Sequence, residues 1–301
     1  MRILVIGASG QLGNELCRAF HDAELHTADL DGGNFPLDIC DFGAVRHLIS
    51  SELRPDVVIN AAAACNVPRC ETQQDVAFAV NASAAGNLAR VCHDAGSRLV
   101  HISTDYVFGH GATEPLTESC ETGPLSVYGA SKLAGEHLIK AYCSDFIIAR
   151  TAAIYGAAPC RAKDGQNFVE MMLHLATTRP EVRVVTDEIT TPTYTRPLAQ
   201  QLRLLTEKGH SGVYHLTCEG ACSWYEFATA IFNATGTEVR LIESTVAEFD
   251  SEVQRPAYSV LENRFAKTQG LDIMPHWQEA LVAYLEETGR LSPEYLSANR
   301  T

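Results

Sequence analysis

The chain has 301 residues, 46% hydrophobic and 20% charged, the balance of a globular protein with a sizeable core and not of a disordered one. Its formal net charge is −14; so acidic a protein gains nothing from counterion release on a phosphate backbone, which argues against nucleic acid as a partner. The apolar run after Met1 is too short for a signal peptide and lacks a cleavage site, and no stretch approaches the ~20 apolar residues of a membrane span. A cytoplasmic protein with no membrane partner is expected.

In chain order, short apolar runs alternate with amphipathic stretches. Arg2 to Ile6 predicts a buried strand, Gln11 to His21 a helix and Glu24 to Asp29 a weaker strand. Phe42 to Leu53 predicts a helix stopped by Arg54-Pro55. Strand DVVIN (Asp56 to Asn60), an Ala-rich helix over Asp75 to Ala95 and strand RLVHI (Arg98 to Ile102) follow. Next come a helix over Val127 to Tyr142 and a strand over Asp145 to Arg150. This alternation, with strands apolar throughout, predicts an α/β fold: a Rossmann-type doubly wound parallel sheet. After Arg150 the pattern loosens. Val182 to Val185 and Val213 to Leu216 predict short strands, and Trp224 to Asn233 and Trp277 to Glu287 predict helices. The stretch from Thr190 to Arg196 reads as loop, and the polar tail from Leu291 to Thr301 as frayed. No linker separates the halves. A core over 1–150 is expected, with 151–301 completing the sheet and forming a smaller C-terminal substrate lobe. The ten cysteines form no CxxC pair, so free thiols in a reducing compartment are expected, not zinc or disulfides.

Gly7, Gly10 and Gly13 form G-x-x-G-x-x-G between the first strand and the first helix. Such glycines permit a tight turn, let a pyrophosphate approach the backbone and let helix and strand pack closely, while the helix N-terminus offers free N–H groups. Asp29 lies 22 residues after Gly7, where an acid meets a ribose 2′-hydroxyl; Asp31 competes for that role. No Lys or Arg lies between Arg18 and Arg46, so a 2′-phosphate would meet carboxylates alone. NADH is therefore expected to bind better than NADPH.

Tyr128 and Lys132 form Y-x-x-x-K, four residues apart and so on one helix face. A cation beside a phenol lowers its pKa toward the working range, making Tyr128 a candidate proton donor. Twenty-four residues earlier stands Thr104, in HISTDYVF after strand RLVHI. A hydroxyl at the carboxyl end of a parallel strand can polarise a substrate carbonyl.

Together GASGQLG, DVVINAAA, AVNASAAGNLA, HISTDYVF, GPLSVYGASKLAGE and RPAYSVLENRF resemble the dTDP-4-dehydrorhamnose reductase family, extended short-chain dehydrogenases/reductases, from Met1 to about Leu285. The resemblance implies reduction of the 4-keto group of a dTDP-6-deoxyhexose with NADH or NADPH. It makes Thr104, Tyr128 and Lys132 the catalytic triad. Toward the cofactor it places Gly7, Gly10, Gln11, Leu12 and Gly13 at the pyrophosphate and Asp38 and Ile39 at the adenine. Ala61, Ala62 and Ala63 would pack along the cofactor, with Ser103, Tyr128 and Lys132 beside it. Toward the sugar nucleotide it places Val67, Thr104, Asp105, Tyr106, Tyr128, Asn167 and Arg255. Asn81 matches a helix asparagine of related enzymes, its role open. Some members bind a divalent metal at a carboxylate-lined dimer contact; Glu15 is the candidate for Mg2+ here, but no metal is predicted. A homodimer is left open.

Two positions depart from the family pattern. Val67-Pro68 stands where Val-Asp is common, and Ala153 where a tryptophan is common before Tyr155-Gly156. Both enlarge or depolarise the sugar pocket and leave hydride chemistry intact. Two other readings follow: another nucleotide-sugar reductase or epimerase of the same fold, or a non-catalytic subunit resembling the beta subunit of methionine adenosyltransferase.

Overall fold

Successive residues of a strand point to opposite faces of a sheet, and in this chain both faces are apolar. Ile3 and Val5 of the first strand pack with Leu16, Leu198 and Leu202, while Leu4 and Ile6 pack with Leu48, Leu88 and Ile139. Such strands bury only when helices cover both sides. The computed structural model describes residues 1–160, 165–249 and 253–298 and shows that arrangement. Seven strands form one sheet: β1 (Arg2–Ile6), β2 (Glu24–Asp29), β3 (Phe35–Pro36), β4 (Val57–Asn60), β5 (Arg98–Thr104), β6 (Phe146–Thr151) and β7 (Gly212–His215). Their order is β7-β6-β5-β4-β1-β2-β3, and every pair is parallel. The chain winds from β1 toward β3, then returns to lay β4 on the other side of β1. That reversal opens a crevice at the carboxyl ends of β1 and β4, the switch point where such sheets take ligands.

The sheet is completed from the second half of the chain, because β7 pairs with β6. Helix Thr195–Glu207 covers one face of that sheet, and much of the remainder of that half makes the lobe. Its strands Glu181–Val185 and Arg240–Ser244 run parallel, and Ile189–Thr190 pairs antiparallel with Cys222–Ser223. An aromatic cluster fastens lobe to core: Tyr155 stacks on Tyr194 at 5.7 Å, and Tyr284 meets Tyr155 edge-on at 5.2 Å. Among the described residues no helix is long and apolar enough to cross a membrane.

Several expected elements change. The helix expected from Asp75 begins at Gln74 and passes through a π-helical stretch, Ala79–Ala84, before resuming as Ala85–Ala95. Likewise Phe42–Arg46 continues as a π-helical stretch, His47–Leu53. The loop expected up to Arg196 ends earlier, because Thr195–Glu207 is a helix. Pro197 lies in its first turn, where the missing N–H costs nothing. Helix Phe168–Thr178, capped by Asn167, was not expected either. In the tail, Pro293–Ala298 is helical rather than frayed; residues 299–301 lie outside the described residues.

Behind the crevice a charged pair is sealed in the core. Glu136 and Arg150 are 0% and 3% exposed. The guanidinium grips the carboxylate twice, Nε to Oε1 at 2.9 Å and Nη2 to Oε2 at 2.7 Å. Ser103 adds a bond to Oε1 at 2.6 Å. The pair ties β6 to the helix that carries Tyr128. Removing one buried partner strands the other charge, at a cost of about 3–5 kcal/mol. We therefore expect Glu136→Gln to lower the unfolding free energy in urea by about that amount; a loss under ~1 kcal/mol would show the pair to be dispensable.

Candidate active site

The glycine loop fits a ligand backbone. Gly7 has φ +80°, and a Cβ there would lie 2.6 Å from the Ala62 nitrogen. A Cβ on Gly13 would strike the Gly7 oxygen at 2.0 Å. Gly10 differs: its nearest atom would be the Gly7 oxygen at 3.4 Å, and nothing else lies within 4 Å. Gly10 also caps helix Gln11–Ala19 without a side-chain bond to the free N–H groups, and no acid sits in the first turn. Two glycines thus close the turn, and the third leaves its face open beneath an unsatisfied helix N-terminus, the arrangement an anionic pyrophosphate requires. Gln11 and Leu12 can serve it only through their backbone. The Gln11 side chain turns inward to accept from the Gly156 N–H at 2.9 Å, and Leu12 is buried in the core.

Asp29 ends β2. Its carboxylate accepts from the Ser9 N–H at 2.9 Å and the Leu30 N–H at 2.8 Å, so it braces the glycine loop. Asp31 is exposed. Asp38 accepts from the Cys40 N–H at 2.8 Å, and Ile39 is buried beside it. Ala61, Ala62 and Ala63 leave the end of β4 half-buried, opposite Gly7. Asn81 gains a definite role. Its amide brackets Ala64, accepting from the N–H at 2.9 Å and donating to the carbonyl at 3.0 Å, and donates to the Ser131 hydroxyl at 3.0 Å. The π-helical stretch thereby pins the alanine run to the catalytic helix, a frequent use of such distortions.

That helix, Val127–Tyr142, is capped by Ser126, whose hydroxyl accepts from the Gly129 N–H at 3.2 Å. It packs closely at its glycines: a Cβ on Gly129 would lie 2.1 Å from the Tyr106 oxygen. Tyr128 therefore sits against the end of β5, its ring edge-on to Tyr106 at 5.9 Å and its hydroxyl facing Thr104. Thr104 spends its own proton on Asp105 Oδ1 at 3.0 Å and accepts from the Tyr106 N–H at 3.2 Å. Burial lifts the Asp105 carboxyl to about 6, against hydrogen bonds from Ser259 and Thr104. Burial also pushes the Tyr128 phenol well above its usual range. Desolvation, rather than the expected help from Lys132, dominates, and it keeps the phenol protonated. Burial drives Lys132 the other way, down to about 8, opposed by Glu136 and Cys65. Its Nζ reaches the Ile102 carbonyl at 2.6 Å and lies 3.1 Å from His101 Nε2.

Ser103 is committed to Glu136 through its hydroxyl, leaving only its backbone for a cofactor. Asn167 has its amide fully engaged: it accepts from the Glu170 N–H at 3.0 Å and donates to the Gly156 carbonyl at 3.0 Å and the Tyr284 hydroxyl at 3.3 Å. It fastens the lobe to the glycine loop, and sugar contact through its side chain would break those bonds. Arg255 faces the Tyr106 hydroxyl and Glu188. Glu188 and Trp224 escaped the sequence reading. Glu188 accepts from the Trp224 indole at 3.1 Å, but no motif marks either residue. Val67 is half-buried at the start of a short helix, Val67–Thr72, with Pro68 exposed behind it. Ala153 takes a left-handed φ of +44° just past β6. Glu15, far from being an open metal ligand, pairs with Arg18 at 3.0 Å and Arg196 at 3.5 Å. Among the described residues no group of three or more His, Cys, Asp or Glu is placed to hold a metal ion.

A seven-stranded switch-point sheet with a glycine loop, and Tyr128 and Lys132 on one helix face beside a strand-end threonine, defines an extended short-chain dehydrogenase/reductase. Comparison with known proteins narrows this. The sequence profile of the RmlD substrate binding domain matches residues 1–290. The Bacillus subtilis spore coat polysaccharide biosynthesis protein SpsK is 42% identical over 95% of this chain and 97% of its own. The crystal structure of a dTDP-4-dehydrorhamnose reductase from Clostridium acetobutylicum superposes with a TM-score of 0.90 at 40% identity, covering 96% of this chain and all of the other. That of the Bacillus anthracis reductase, solved in complex with NADP, gives 0.88 at 34% identity over 95% and 99%. The chain belongs to the RmlD family of reductases.

The glycine geometry separates two substitutions. Gly13→Ala drives a methyl into backbone and should cost at least ~2 kcal/mol of stability. Gly10→Ala should leave the melting temperature within a few degrees and weaken NADH binding, read by fluorescence titration, about tenfold or more. Equal thermal losses in the two variants would contradict the open face.

Proposed function

We propose that this chain is a nicotinamide-dependent reductase acting on the 4-keto group of a dTDP-6-deoxyhexose, converting dTDP-4-dehydro-L-rhamnose to dTDP-L-rhamnose. The observation that carries this reading is the Tyr128 hydroxyl facing Thr104 at the carboxyl end of β5, with Lys132 one turn on along the same helix. Bound NADH or NADPH would supply the hydride. Tyr128 stays protonated through the working range and donates that proton to the carbonyl oxygen, giving the alcohol. Charged Lys132 stabilises the phenolate left behind. Thr104 turns its proton from Asp105 to hold the substrate oxygen.

Gly7, Gly10 and Gly13, with the backbone of Gln11 and Leu12, would take the pyrophosphate. Asp29 would take the ribose, and Asp38, Ile39 and the alanines of 61–63 the rest of the cofactor. NADH preference is supported by Asp29 and by the lack of any Lys or Arg between Arg18 and Arg46; the Bacillus anthracis relative was solved with NADP, so the ratio of the two cofactors is itself a test. Tyr106, Arg255 and Val67 would face the sugar nucleotide, the guanidinium suiting its diphosphate. The departures from the family pattern at Pro68 and Ala153 support a second reading, the same chemistry on another 4-ketohexose nucleotide. An epimerase would show no net cofactor consumption.

Tyr128→Phe is expected to lower turnover by about 10²–10⁴, the usual weight of one general acid, with NADH affinity unchanged. Full activity in that variant would remove Tyr128 from the chemistry. The pH profile offers a second check. Lys132 is charged below about 8 and neutral above it, so kcat/KM should fall as pH rises through that value. A profile flat to pH 10 would contradict the role given to its charge.

A further inference from the structure

Behind Lys132 lies a buried line that the reduction does not use. Asn60 and His101 stand opposite each other on β4 and β5, each 1% exposed, and Lys132 is 2% exposed. Asn60 Oδ1 accepts the Ala62 N–H at 3.1 Å, and that bond decides which end of the amide faces the histidine. Its Nδ2 lies 3.1 Å from His101 Nδ1, while His101 Nε2 lies 3.1 Å from Lys132 Nζ.

An amide NH2 can only donate, and a neutral imidazole has one donor and one acceptor. Nδ1 must therefore accept, and the ring proton sits on Nε2, aimed at Lys132. An ammonium has three donors and no acceptor, so charged Lys132 would meet that N–H head-on. A neutral amine accepts from Nε2–H and still donates to the Ile102 carbonyl at 2.6 Å. The other tautomer moves the conflict to Asn60, where Nδ1–H would face the amide NH2.

We propose that Asn60, acting through the tautomer of His101, is a positioning residue that governs how readily Lys132 carries its charge. The other groups facing Lys132 oppose it. Glu136, one turn along the same helix, and Cys65, from the loop after β4, both favour the ammonium, but Glu136 is already gripped by Arg150 and Ser103. Tyr128 shares the helix face, and its phenol is uncharged. His101 is itself kept neutral by burial and by Lys132.

The test has two arms. In the ¹⁵N-histidine-labelled protein, with His101 assigned by loss of its signal in His101→Gln, the ring is expected as the Nε2–H tautomer. Asn60→Asp presents a carboxylate that accepts from both the Ala62 N–H and Nδ1–H. The ring proton should then move to Nδ1, Nε2 should accept from the ammonium, and the alkaline limb of kcat/KM should rise by about one unit or more. An Nδ1–H tautomer in the unmodified protein overturns the proposal, as does an unmoved limb after the tautomer has switched. The kinetic arm rests on the reductase reading. The spectral arm needs no substrate, so it survives a wrong hexose, and it decides alone if Asn60→Asp does not fold.

Discussion

The constraint on which the molecule depends is the closeness of two chain segments at the switch point. The turn after β1 and the alanine run after β4 approach until a single methyl on Gly7 would meet backbone at 2.6 Å. That contact sets the floor of the crevice. It aims the open N-terminus of helix Gln11–Ala19 into the space above and carries the alanine run toward the catalytic helix. Asn81 then holds the run to Ser131, and the Tyr128 face of that helix is placed against β5. The order of the strands, the glycine pattern and the position of the tyrosine are consequences of one packing requirement.

Desolvation on the catalytic side of the crevice decides its chemistry. Tyr128 and Lys132 are shifted in opposite directions by the same cause, because burial disfavours the phenolate and the ammonium alike. A proton donor that stays protonated and a lysine that titrates near neutrality suit a reduction, where the proton is given away once per turnover. The buried Glu136–Arg150 pair lies one layer deeper. It binds Ser103 and β6 to the helix, and so holds Tyr128 in place without touching a substrate.

Much of this was legible in the sequence, and the reason is local. Strand Arg2–Ile6 and helices Val127–Tyr142 and Trp277–Glu287 were read at their true bounds, because apolar periodicity and cap residues act over a few positions. Gly7 and Gly13 could be assigned from spacing because their glycines serve backbone geometry. What stayed hidden depends on contacts between distant residues. Nothing near Asn167 signals that its amide clasps Gly156 and Tyr284, and nothing near Ser103 signals Glu136. Lys132 looked like a cation that would lower the pKa of Tyr128; only the folded surroundings of the two show desolvation prevailing. Glu188 and Trp224 lie 36 residues apart in loosely patterned sequence and meet only in the folded lobe.

The account rests on hydride reaching a keto sugar, and the most direct measurement is the fall of NADH absorbance on adding freshly generated dTDP-4-dehydro-L-rhamnose. Substrate-dependent oxidation, with dTDP-L-rhamnose as product, is the predicted result. An enzyme that binds NADH but oxidises none of it, with this sugar or with other 4-ketohexose nucleotides, would contradict the account and point to a binding role for the same fold.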